Sequence, residues 1–184
     1  MTDVLVIGDG PGGLSAALFL AKNGFDVLVV GEDKTAMHWA LLKNYLGIPE
    51  ILGADFQRVA RDQASALGAK IRDAHVENIA REGDGYRATL QGGEQLTAKY
   101  LVLSEGKGPR LARQLGLTFD EKTGIETDKN AHSALDNVYV VGRSARPGRS
   151  QAIISAGDGA SAAIDIISRE RGEDFVDWDE PPKS

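Results

Sequence analysis

A glycine-rich stretch near the amino terminus has the spacing of a site for phosphate groups. The letters GDGPGG read G-x-G-x-x-G, with glycines at Gly8, Gly10 and Gly13, and Pro11 and Gly12 complete the turn. The first glycine permits a sharp turn, the second lets the backbone approach a pyrophosphate, and the third lets the next helix pack closely. The phosphates of a dinucleotide would lie at the helix N-terminus, where free N–H groups and the helix dipole favour negative charge.

Two acidic residues follow this turn at the distance expected for a ribose-binding group. In dinucleotide-binding turns, a carboxylate about 20 positions further on holds the ribose hydroxyls. Glu32 and Asp33 lie 19 and 20 positions beyond Gly13, and both are candidates. A glycine turn that only permits close packing, or a site that no longer binds a ligand, is the alternative interpretation.

A second candidate feature is a cluster of three arginines in a chain whose formal net charge is −6. The stretch VVGRSARPGRSQAIISAG places Arg143, Arg146 and Arg149 in a loop between a buried strand pattern and a long helix pattern. A guanidinium can pair with a diphosphate through two parallel hydrogen bonds. We expect Arg143 to contact phosphate, whereas a solvated loop position is the favoured interpretation for Arg146 and Arg149.

The elements that would position these groups begin with a strand–helix–strand unit. Residues 4–7 are an unbroken apolar run, residues 14–22 repeat apolar side chains at helical spacing, and residues 27–30 are a second apolar run. Unbroken apolar runs are typical of parallel strands that are covered on both faces. Strand, glycine turn, helix and strand within about 30 residues predict a βαβ unit.

The middle of the chain changes from helical to strand patterns. Residues 34–53 predict a loop with one short helix, and residues 55–67 predict a longer helix. Strand patterns follow over residues 69–80, 85–91 and 94–104, separated by the turn sequences REGDG and GG. Strands linked in this way predict hairpins and therefore an antiparallel β-meander.

The last third of the chain returns to the α/β pattern. Residues 110–136 are loop-rich, residues 137–141 predict a buried strand, and residues 151–168 predict the longest helix. The predicted buried stripe of that helix is Ile153, Ala156, Ala160, Ala163, Ile164 and Ile167. The whole pattern predicts an α/β fold, with a parallel sheet flanked by helices and an antiparallel β-meander laid across it.

Length and composition indicate one soluble domain. A chain of 184 residues can build one sizeable core. We expect a single domain over residues 1–170 and an acidic tail over residues 171–184, with Phe175 and Trp178 as candidates to dock on the body or on a partner. The amino terminus lacks the features of a signal peptide, and no apolar run approaches the roughly 18 residues of a spanning helix. We therefore expect no membrane association.

Composition also excludes several function classes. The chain has no cysteine, which excludes disulfides, thiolate metal sites and a cysteine redox relay within it. This composition is compatible with the cytoplasm. The sequence pI near 5.1 argues against general nucleic-acid binding. His75 and His132 lack metal-ligand spacing, so we predict no metal site.

With these elements placed, the chain resembles the flavoprotein pyridine-nucleotide–disulfide oxidoreductases, and most closely the low-molecular-weight thioredoxin reductases. IGDGPGG is similar to the family's first FAD motif. TGIETDKNAHSALDNVYVVG, followed by RSQAIISAGDGASAAIDI, resembles the second FAD motif and the helix after it. The resemblance runs through nearly the whole chain in family order. It implies a FAD/NAD(P)-binding Rossmann-like three-layer domain with FAD as its cofactor.

The resemblance also implies roles for individual residues. Asn44, in KNYLGIPEILG, falls on a flavin-contacting asparagine, and the backbone of Val76, in VENI, would lie beside the adenine. Gln151 and Ala152 would lie at a helix N-terminus beside the flavin ring. Trp39 lies where the family chain passes the flavin, although a core or dimer contact is its favoured interpretation.

Several departures from the family pattern limit what the resemblance implies. The family inserts an NAD(P)H domain after the meander, which in thioredoxin reductases carries the redox cysteines, whereas YLVLSEGKGPR leads here directly to the closing segment. The family's Ala-Thr-Gly reads Ser104-Glu105-Gly106, and its second FAD motif ends Gly142-Arg143 in place of Gly-Asp. Gly106 and Gly142 remain candidate cofactor contacts. Ordinary thioredoxin reductase activity is excluded for this chain alone.

Two functional classes remain open from the sequence. The first is a small flavoprotein oxidoreductase that takes electrons from an external donor or a redox partner protein, which the retained Asn44 and Gln151 favour. The second is a dinucleotide-binding sensor, carrier or assembly protein without catalysis, which Arg143 and the missing domain favour. A domain that binds NAD(P) alone is a weaker alternative. The resemblance implies a homodimer.

Overall fold

A seven-stranded sheet organises residues 1–181, which the computed structural model describes. Short 3₁₀ helices cover Ala36–Trp39, Gly142–Ser144 and Pro147–Arg149. None of the helices within the described residues is long and apolar enough to span a bilayer. The other elements follow in chain order: β1 (Thr2–Ile7), α1 (Pro11–Lys22), β2 (Val27–Gly31), β3 (Leu41–Leu42), β4 (Ile51–Leu52), α2 (Gly53–Ala66), β5 (Lys70–Asp73), β6 (Val76–Glu82), β7 (Gly85–Leu90), β8 (Gln95–Leu103), α3 (Arg110–Gln114), β9 (Phe119–Asp120), β10 (Gly124–Ile125), β11 (Val138–Val140) and α4 (Ala152–Arg171).

The sheet combines a parallel part with an antiparallel part. Its strand order is β5-β2-β1-β8-β7-β6, and β11 also pairs with β8. β5, β2, β1, β8 and β11 run parallel, whereas β6, β7 and β8 pair antiparallel. β8 belongs to both parts, because residues 95–98 pair with β7 and residues 101–103 pair with β11. The predicted α/β fold with its β-meander is confirmed.

The parallel strands are buried on both faces. Val4 and Val6 of β1 pack into the cluster formed with α1 and α4, whereas Leu5 and Ile7 pack into the cluster formed with β6, β7 and α3. Successive side chains of a strand point to opposite faces, so an unbroken apolar run is what a doubly covered strand requires. The layers are helices, parallel sheet and meander.

One predicted strand, over residues 69–80, is two strands in the structure. β5 pairs with β2 at the edge of the parallel sheet, and β6 pairs with β7 in the meander. The break lies at Ala74, whose N–H donates to the carbonyl of Gly31 at 2.7 Å. The side-chain period is two residues in both strands, so the hydrophobic pattern does not mark the change of partner.

α4 buries a different row of residues from the predicted stripe. Its buried residues are Ala152, Ser155, Asp158, Gly159, Ala162, Ala163, Ile166 and Ile167. Four members of the predicted stripe are only half-buried: Ile153, Ala156, Ala160 and Ile164. The contact with α1 explains the rotation, since a Cβ at Gly159 would meet the carbonyl oxygen of Gly12 at 2.0 Å. Small residues therefore face α1 and let the two helix backbones approach.

The segment between β2 and α2 contains the predicted short helix and an additional hairpin. Ala36–Trp39 is a 3₁₀ helix, and the Thr35 hydroxyl caps it by accepting from the Met37 N–H at 3.2 Å. β3 and β4 then pair antiparallel. Strands of two residues are too short for an alternating pattern to reveal them.

The tail after α4 docks partly on the body. Phe175 packs against the helical core cluster, and Asp177 and Asp179 pair with Lys22 at 2.8 and 2.5 Å. Trp178 is 80% exposed, so it does not dock on this chain. Residues 182–184 of the predicted tail lie outside the described residues.

Candidate dinucleotide-binding cleft

A cleft of about 590 Å³ opens at the ends of β1 and β2, bounded by the segments that follow β8 and precede α4. Ten of the residues predicted for the site line it: Gly8, Gly10, Pro11, Gly12, Glu32, Val76, Gly106, Gly142, Arg143 and Ala152. Gly13, Asp33, Asn44 and Gln151 lie outside its lining. A separate hollow of about 660 Å³, beside residues 123–129 and Arg146, contains none of the residues predicted for the site.

Two glycines of the turn are required by the protein's own packing. Gly8 has a φ of +100°, and a Cβ there would meet the carbonyl oxygen of Ser104 at 2.1 Å. A Cβ at Gly13 would meet the carbonyl oxygen of Gly8 at 2.0 Å. These two glycines therefore let α1 begin close to β1, whether or not a ligand binds.

Gly10 differs from these glycines because the protein leaves room for a side chain there. Its backbone is extended, with φ −73° and ψ 179°. A Cβ would meet only the Thr35 and Ser104 hydroxyl oxygens, at 3.6 and 4.0 Å. Gly10 lines the cleft, so the space that the missing side chain leaves belongs to the cleft. This is the space that a diphosphate needs to approach the backbone.

Two helix N-termini open onto the cleft. α1 begins after Gly10 and α4 begins after Gln151; among the described residues, no side chain caps either start and neither first turn holds an acid. Gly12 and Ala152, in the two first turns, line the cleft. Free N–H groups and the positive ends of two helix dipoles therefore favour an anionic ligand in this cleft.

The structure separates the two acidic candidates. Glu32 lines the cleft, where Lys34 Nζ and His75 Nδ1 each lie 2.9 Å from its carboxylate oxygens. The hydrogen bonds from His75 and Lys34 lower the pKa of Glu32, so the carboxylate stays ionised. The carboxylate of Asp33 instead lies 3.0 Å from His38 Nε2. Of the two acids, only Glu32 belongs to the lining of the cleft among the described residues.

A buried carboxylate lies inside the glycine turn, and the sequence did not single it out. Asp9 is 4% exposed, and burial raises the pKa of its carboxyl group. It is held from α2, where Arg61 pairs with its carboxylate and Gln57 donates to its carbonyl oxygen at 2.6 Å. The only sequence signal was an acid at an unspecified (x) position of the G-x-G-x-x-G turn. Its partners on α2 lie about 50 residues away in the chain, so no local pattern connects them to it.

The two residues predicted to lie at the flavin are in contact. Nδ2 of Asn44 donates to Oε1 of Gln151 at 2.9 Å. Both side chains are exposed, and Ala152, the next residue along, lines the cleft. Trp39 is 82% exposed and also lines the cleft, so a core contact is wrong for this residue, and a dimer contact stays a prediction.

The three arginines have three different environments. Arg143 is exposed and lines the cleft. Arg146 donates from Nε to Asp158 at 3.0 and 3.2 Å, and the same carboxylate accepts from the Gly142 N–H at 3.3 Å. Arg146 thus fixes the loop to α4, and this contact was not part of the expectation of a solvated loop position. Arg149 is exposed and does not line the cleft.

The segment after β8 is held by contacts of its own. The Ser144 hydroxyl donates to the carbonyl of Gly106 at 3.0 Å, which joins this segment to the arginine loop. The Glu105 carboxylate accepts from the N–H groups of Leu111 and Ala112 at 2.7 and 2.9 Å, and burial raises its pKa. The departure at Glu105 therefore supplies an N-terminal cap for α3.

The backbone of Val76 is anchored at the other end of the cleft. Arg110 donates to the carbonyl oxygens of Val76 and Glu77, the second at 2.6 Å. Val76 is buried, and both it and Arg110 line the cleft. Arg110 therefore fixes the backbone at this end of the cleft.

Comparison with known proteins gives a consistent family. The family model described as pyridine nucleotide-disulphide oxidoreductase matches residues 2–47 and 46–159. A thioredoxin reductase from Helicobacter pylori is 26% identical over 117 residues, which cover 60% of this chain and 37% of that protein. A ferredoxin–NADP reductase from Lactococcus lactis subsp. cremoris is 23% identical over 179 residues, which cover 91% of this chain and 53% of that protein. The chain spans about half or less of the length of these curated relatives.

Solved structures show the same fold. A thioredoxin reductase from Gloeobacter violaceus superposes with a TM-score of 0.86 and 17% identity, over 97% of this chain and 99% of that chain. An atypical thioredoxin reductase from Desulfovibrio vulgaris Hildenborough gives a TM-score of 0.83 and 17% identity, over 94% of this chain and 99% of that chain. The match of the family model over most of the chain shows that the chain belongs to the pyridine nucleotide-disulphide oxidoreductase family.

Proposed function

We propose that this chain is a flavoprotein domain that binds FAD in the cleft and serves an oxidoreductase reaction. The observation that carries the proposal is the course of the cleft, which joins the glycine turn to the first turn of α4. FAD needs a site for its ADP at one end and a site for its ring at the other. The family membership supports flavin as the cofactor.

The residues present fit the ADP half of FAD. The diphosphate would lie over Gly10 and the start of α1, with Arg143 as the nearby cation. Glu32 would accept from the ribose hydroxyls, because an ionised carboxylate is an acceptor on both oxygens. The backbone of Val76 would lie beside the adenine. Each of these assignments is supported by the position of the residue in the cleft lining and by the hydrogen bonds that its groups can make.

The other end of the cleft fits the isoalloxazine ring. Asn44 and Gln151 would lie beside it and the start of α4 would point toward it. When bound, FAD supplies the redox chemistry, and the protein positions and tunes it. Trp39 lies on the exposed rim, where it can cover one face of the ring.

We propose that electrons reach this flavin from outside the chain. Between β8 and β11 the described chain contains only α3, the β9–β10 hairpin and connecting loops, which are too short for a second nucleotide-binding domain. The chain also has no cysteine to carry electrons onward. The donor or acceptor would be a small molecule, or a redox partner protein that completes the reaction.

An absorption spectrum of the purified protein tests the proposal. The spectrum is recorded before and after adding excess FAD and removing the free ligand. Bands near about 370 and 450 nm that stay with the protein support the flavin site. A protein that remains colourless, while still binding ADP in a calorimeter, contradicts FAD and supports the alternative below.

The alternative function is dinucleotide binding without catalysis. The observation that favours it is Arg143, which lines the cleft where the resembling family has an aspartate. A guanidinium can only donate hydrogen bonds, so it cannot replace the acceptor role of a carboxylate. A weaker alternative is a site for NAD(P) alone, which titration with NAD⁺ and NADP⁺ tests directly.

We further propose a homodimer located in the cytoplasm, with residues 1–170 as the domain and residues 171–184 as an appended tail. Trp39, Leu41 and Leu46 are exposed apolar side chains of one segment of the chain, and they would supply apolar surface to a dimer contact. Light scattering on the eluate of a sizing column measures the mass directly. A monomeric mass across the accessible concentration range contradicts the dimer.

A further inference from the structure

A carboxylate inside a phosphate-binding turn creates an electrostatic conflict. Asp9 follows Gly8 in the turn, lines the cleft and is 4% exposed. A diphosphate over Gly10 would bring negative charge close to it, and like charges at short range repel strongly where water is excluded. A turn that binds an anion therefore needs the charge of Asp9 to be balanced.

Two residues of α2 contact this turn. Gln57 is 1% exposed, and its Nε2 donates to the carbonyl oxygen of Asp9 at 2.6 Å. Arg61 pairs through Nη1 with the carboxylate of Asp9. Residues four apart share a face of a helix, so one face of α2 holds both the backbone and the side chain of Asp9.

The side chain of Asp9 is also fixed by β2 and the segment after it. Its carboxylate accepts from the N–H of Asp33 at 3.2 Å. A Cβ at Gly31 would meet Asp9 Oδ1 at 2.5 Å, so only a glycine at position 31 leaves room for this carboxylate. The position of the carboxylate is therefore determined by three parts of the chain.

Arg61 is the cation that faces Asp9, and several acids share it. Its Nη2 lies 2.7 Å from Asp73 Oδ1 on β5, and its Nη1 lies 4.0 Å from Asp33 Oδ1, which in turn lies 3.0 Å from His38 Nε2. The Arg61 side chain is 20% exposed. In so enclosed a position, removing the cation would leave Asp9 as a buried, unpaired charge.

We propose that Arg61 is a positioning residue of the dinucleotide site, acting through Asp9. It neutralises the carboxylate inside the glycine turn and, with Gln57, holds the turn so that an anionic diphosphate can lie over Gly10. The inference rests on the proposed dinucleotide binding. It predicts that binding without Arg61 depends on whether Asp9 is protonated.

Affinity measured at two pH values tests this role. FAD and, separately, ADP are titrated calorimetrically at about pH 5.5 and about pH 8, at constant ionic strength. We expect Arg61→Met to weaken both ligands about tenfold or more at the higher pH, and less at the lower pH where Asp9 takes up a proton. Burial already raises the pKa of Asp9 with Arg61 present, and loss of the cation raises it further.

Matched variants separate charge from structure. Asp9→Asn should bind at least as tightly as wild type at both pH values, and Arg61→Met combined with Asp9→Asn should regain most of the lost affinity. Arg58→Met is the control, because Arg58 lies on α2 and, within the described residues, pairs only with the exposed Asp55 and Asp62, at 3.6 and 3.7 Å. Circular dichroism shows whether each variant is folded. If Arg61→Met does not fold, Asp9→Asn and the double variant decide the question.

Three results would overturn the inference. They are unchanged affinity in Arg61→Met, an equal loss at both pH values that Asp9→Asn does not rescue, and weaker binding in Asp9→Asn alone. Wild-type protein that binds ADP but not FAD contradicts the flavin proposal instead, and the ADP titrations then judge Arg61. Wild-type protein that binds neither ligand overturns both.

Discussion

Nδ2 of Asn44 donates a hydrogen bond to Oε1 of Gln151 at 2.9 Å across a separation of 107 residues in the chain. The contact joins the loop before α2 to the residue that precedes α4. Both residues were predicted, from family resemblance, to lie at the same ring. Their contact gives the proposed flavin end of the cleft a defined edge and leads to the first prediction.

Asn44→Ala should change the flavin environment and leave the ADP half of the site intact. Loss of the amide removes the hydrogen-bond partner of Gln151 and a donor beside the proposed ring site. We therefore expect a shifted flavin absorption band and a changed reduction potential in the FAD-loaded protein. Affinity for ADP should stay within about twofold, since the proposed diphosphate site lies at the other end of the cleft. Lys43→Ala, at the exposed neighbour that pairs with Glu50, is the control. A spectrum identical to that of wild type would contradict a position beside the ring.

Gly10→Ala should separate binding from folding. The backbone at Gly10 is compatible with alanine, and a Cβ would meet no protein atom closer than 3.6 Å. We therefore expect the free energy of unfolding to stay the same or to rise by up to about 1 kcal/mol, because alanine has less backbone freedom than glycine to lose on folding. FAD affinity should fall about tenfold or more, equivalent to about 1.4 kcal/mol, because the methyl group would occupy the space that we propose for the diphosphate.

The control for this variant is Gly157→Ala on α4. A Cβ at Gly157 would meet nothing within 4 Å, and alanine is the better helix former by up to about 1 kcal/mol. Its FAD affinity should equal that of wild type. Equal affinities in Gly10→Ala and Gly157→Ala would show that no ligand approaches the turn at Gly10.

Arg143→Ala should weaken dinucleotide affinity and make it less sensitive to salt. Arg143 is exposed in the cleft lining, and an ion pair with a diphosphate there is screened by added salt. Calorimetric titration at low and high ionic strength measures both effects. Arg149→Ala is the matched control, since Arg149 is exposed in the same loop but outside the cleft lining. The same affinity and salt response in both variants would remove the phosphate role.

The stability of the fold should decrease as the pH falls below about 6.5 because of His132. Within the described residues its Nε2 is buried without a hydrogen-bond partner, and burial lowers the pKa of the imidazole. The unfolded chain therefore takes up a proton at a higher pH than the folded chain. The stabilising contribution of neutral His132 is complete above the unfolded pKa of about 6.5 and is lost as the pH falls toward the lower folded pKa.

Urea unfolding at about pH 7 and about pH 5 measures this contribution. His132→Phe keeps a ring beside Tyr139, whose centroid lies 4.9 Å away, and it should lose less stability than wild type between the two pH values. His75→Gln, at an exposed histidine, should keep the contribution of His132. An equal pH dependence in wild type and His132→Phe would assign the acid sensitivity to other groups.

The predictable parts of this molecule are those with local signals. The βαβ unit was predicted because unbroken apolar runs, a glycine turn and a helical stripe follow one another within about 30 residues. The spacing from the glycine turn predicted Glu32 and Asp33 equally, because the two acids are adjacent in the chain. Only the structure distinguishes them, since the chain turns at Asp33, where φ is +49°.

The parts that were missed depend on contacts between distant segments. Arg61 and Gln57 are ordinary polar residues of an amphipathic helix until α2 is placed beside Asp9. The buried row of α4 follows from the close approach of Gly159 to Gly12, which outweighs the isoleucine pattern. Such pairings belong to tertiary packing, which periodicity within one element does not encode.

The pairing of β11 with β8 gives the chain one place where an addition would leave the sheet undisturbed. Val138 lies opposite Leu101 and Val140 lies opposite Leu103, so the chain leaves the sheet and returns to it on neighbouring strands. The connecting segment packs Leu111, Leu117 and Ile125 into the core, while its two ends stay side by side on the sheet. A fluorescent protein or a sensor module spliced into the exposed turn between β9 and β10, at Glu121 and Lys122, would have both its ends anchored close together, while no strand of the host sheet would need to move.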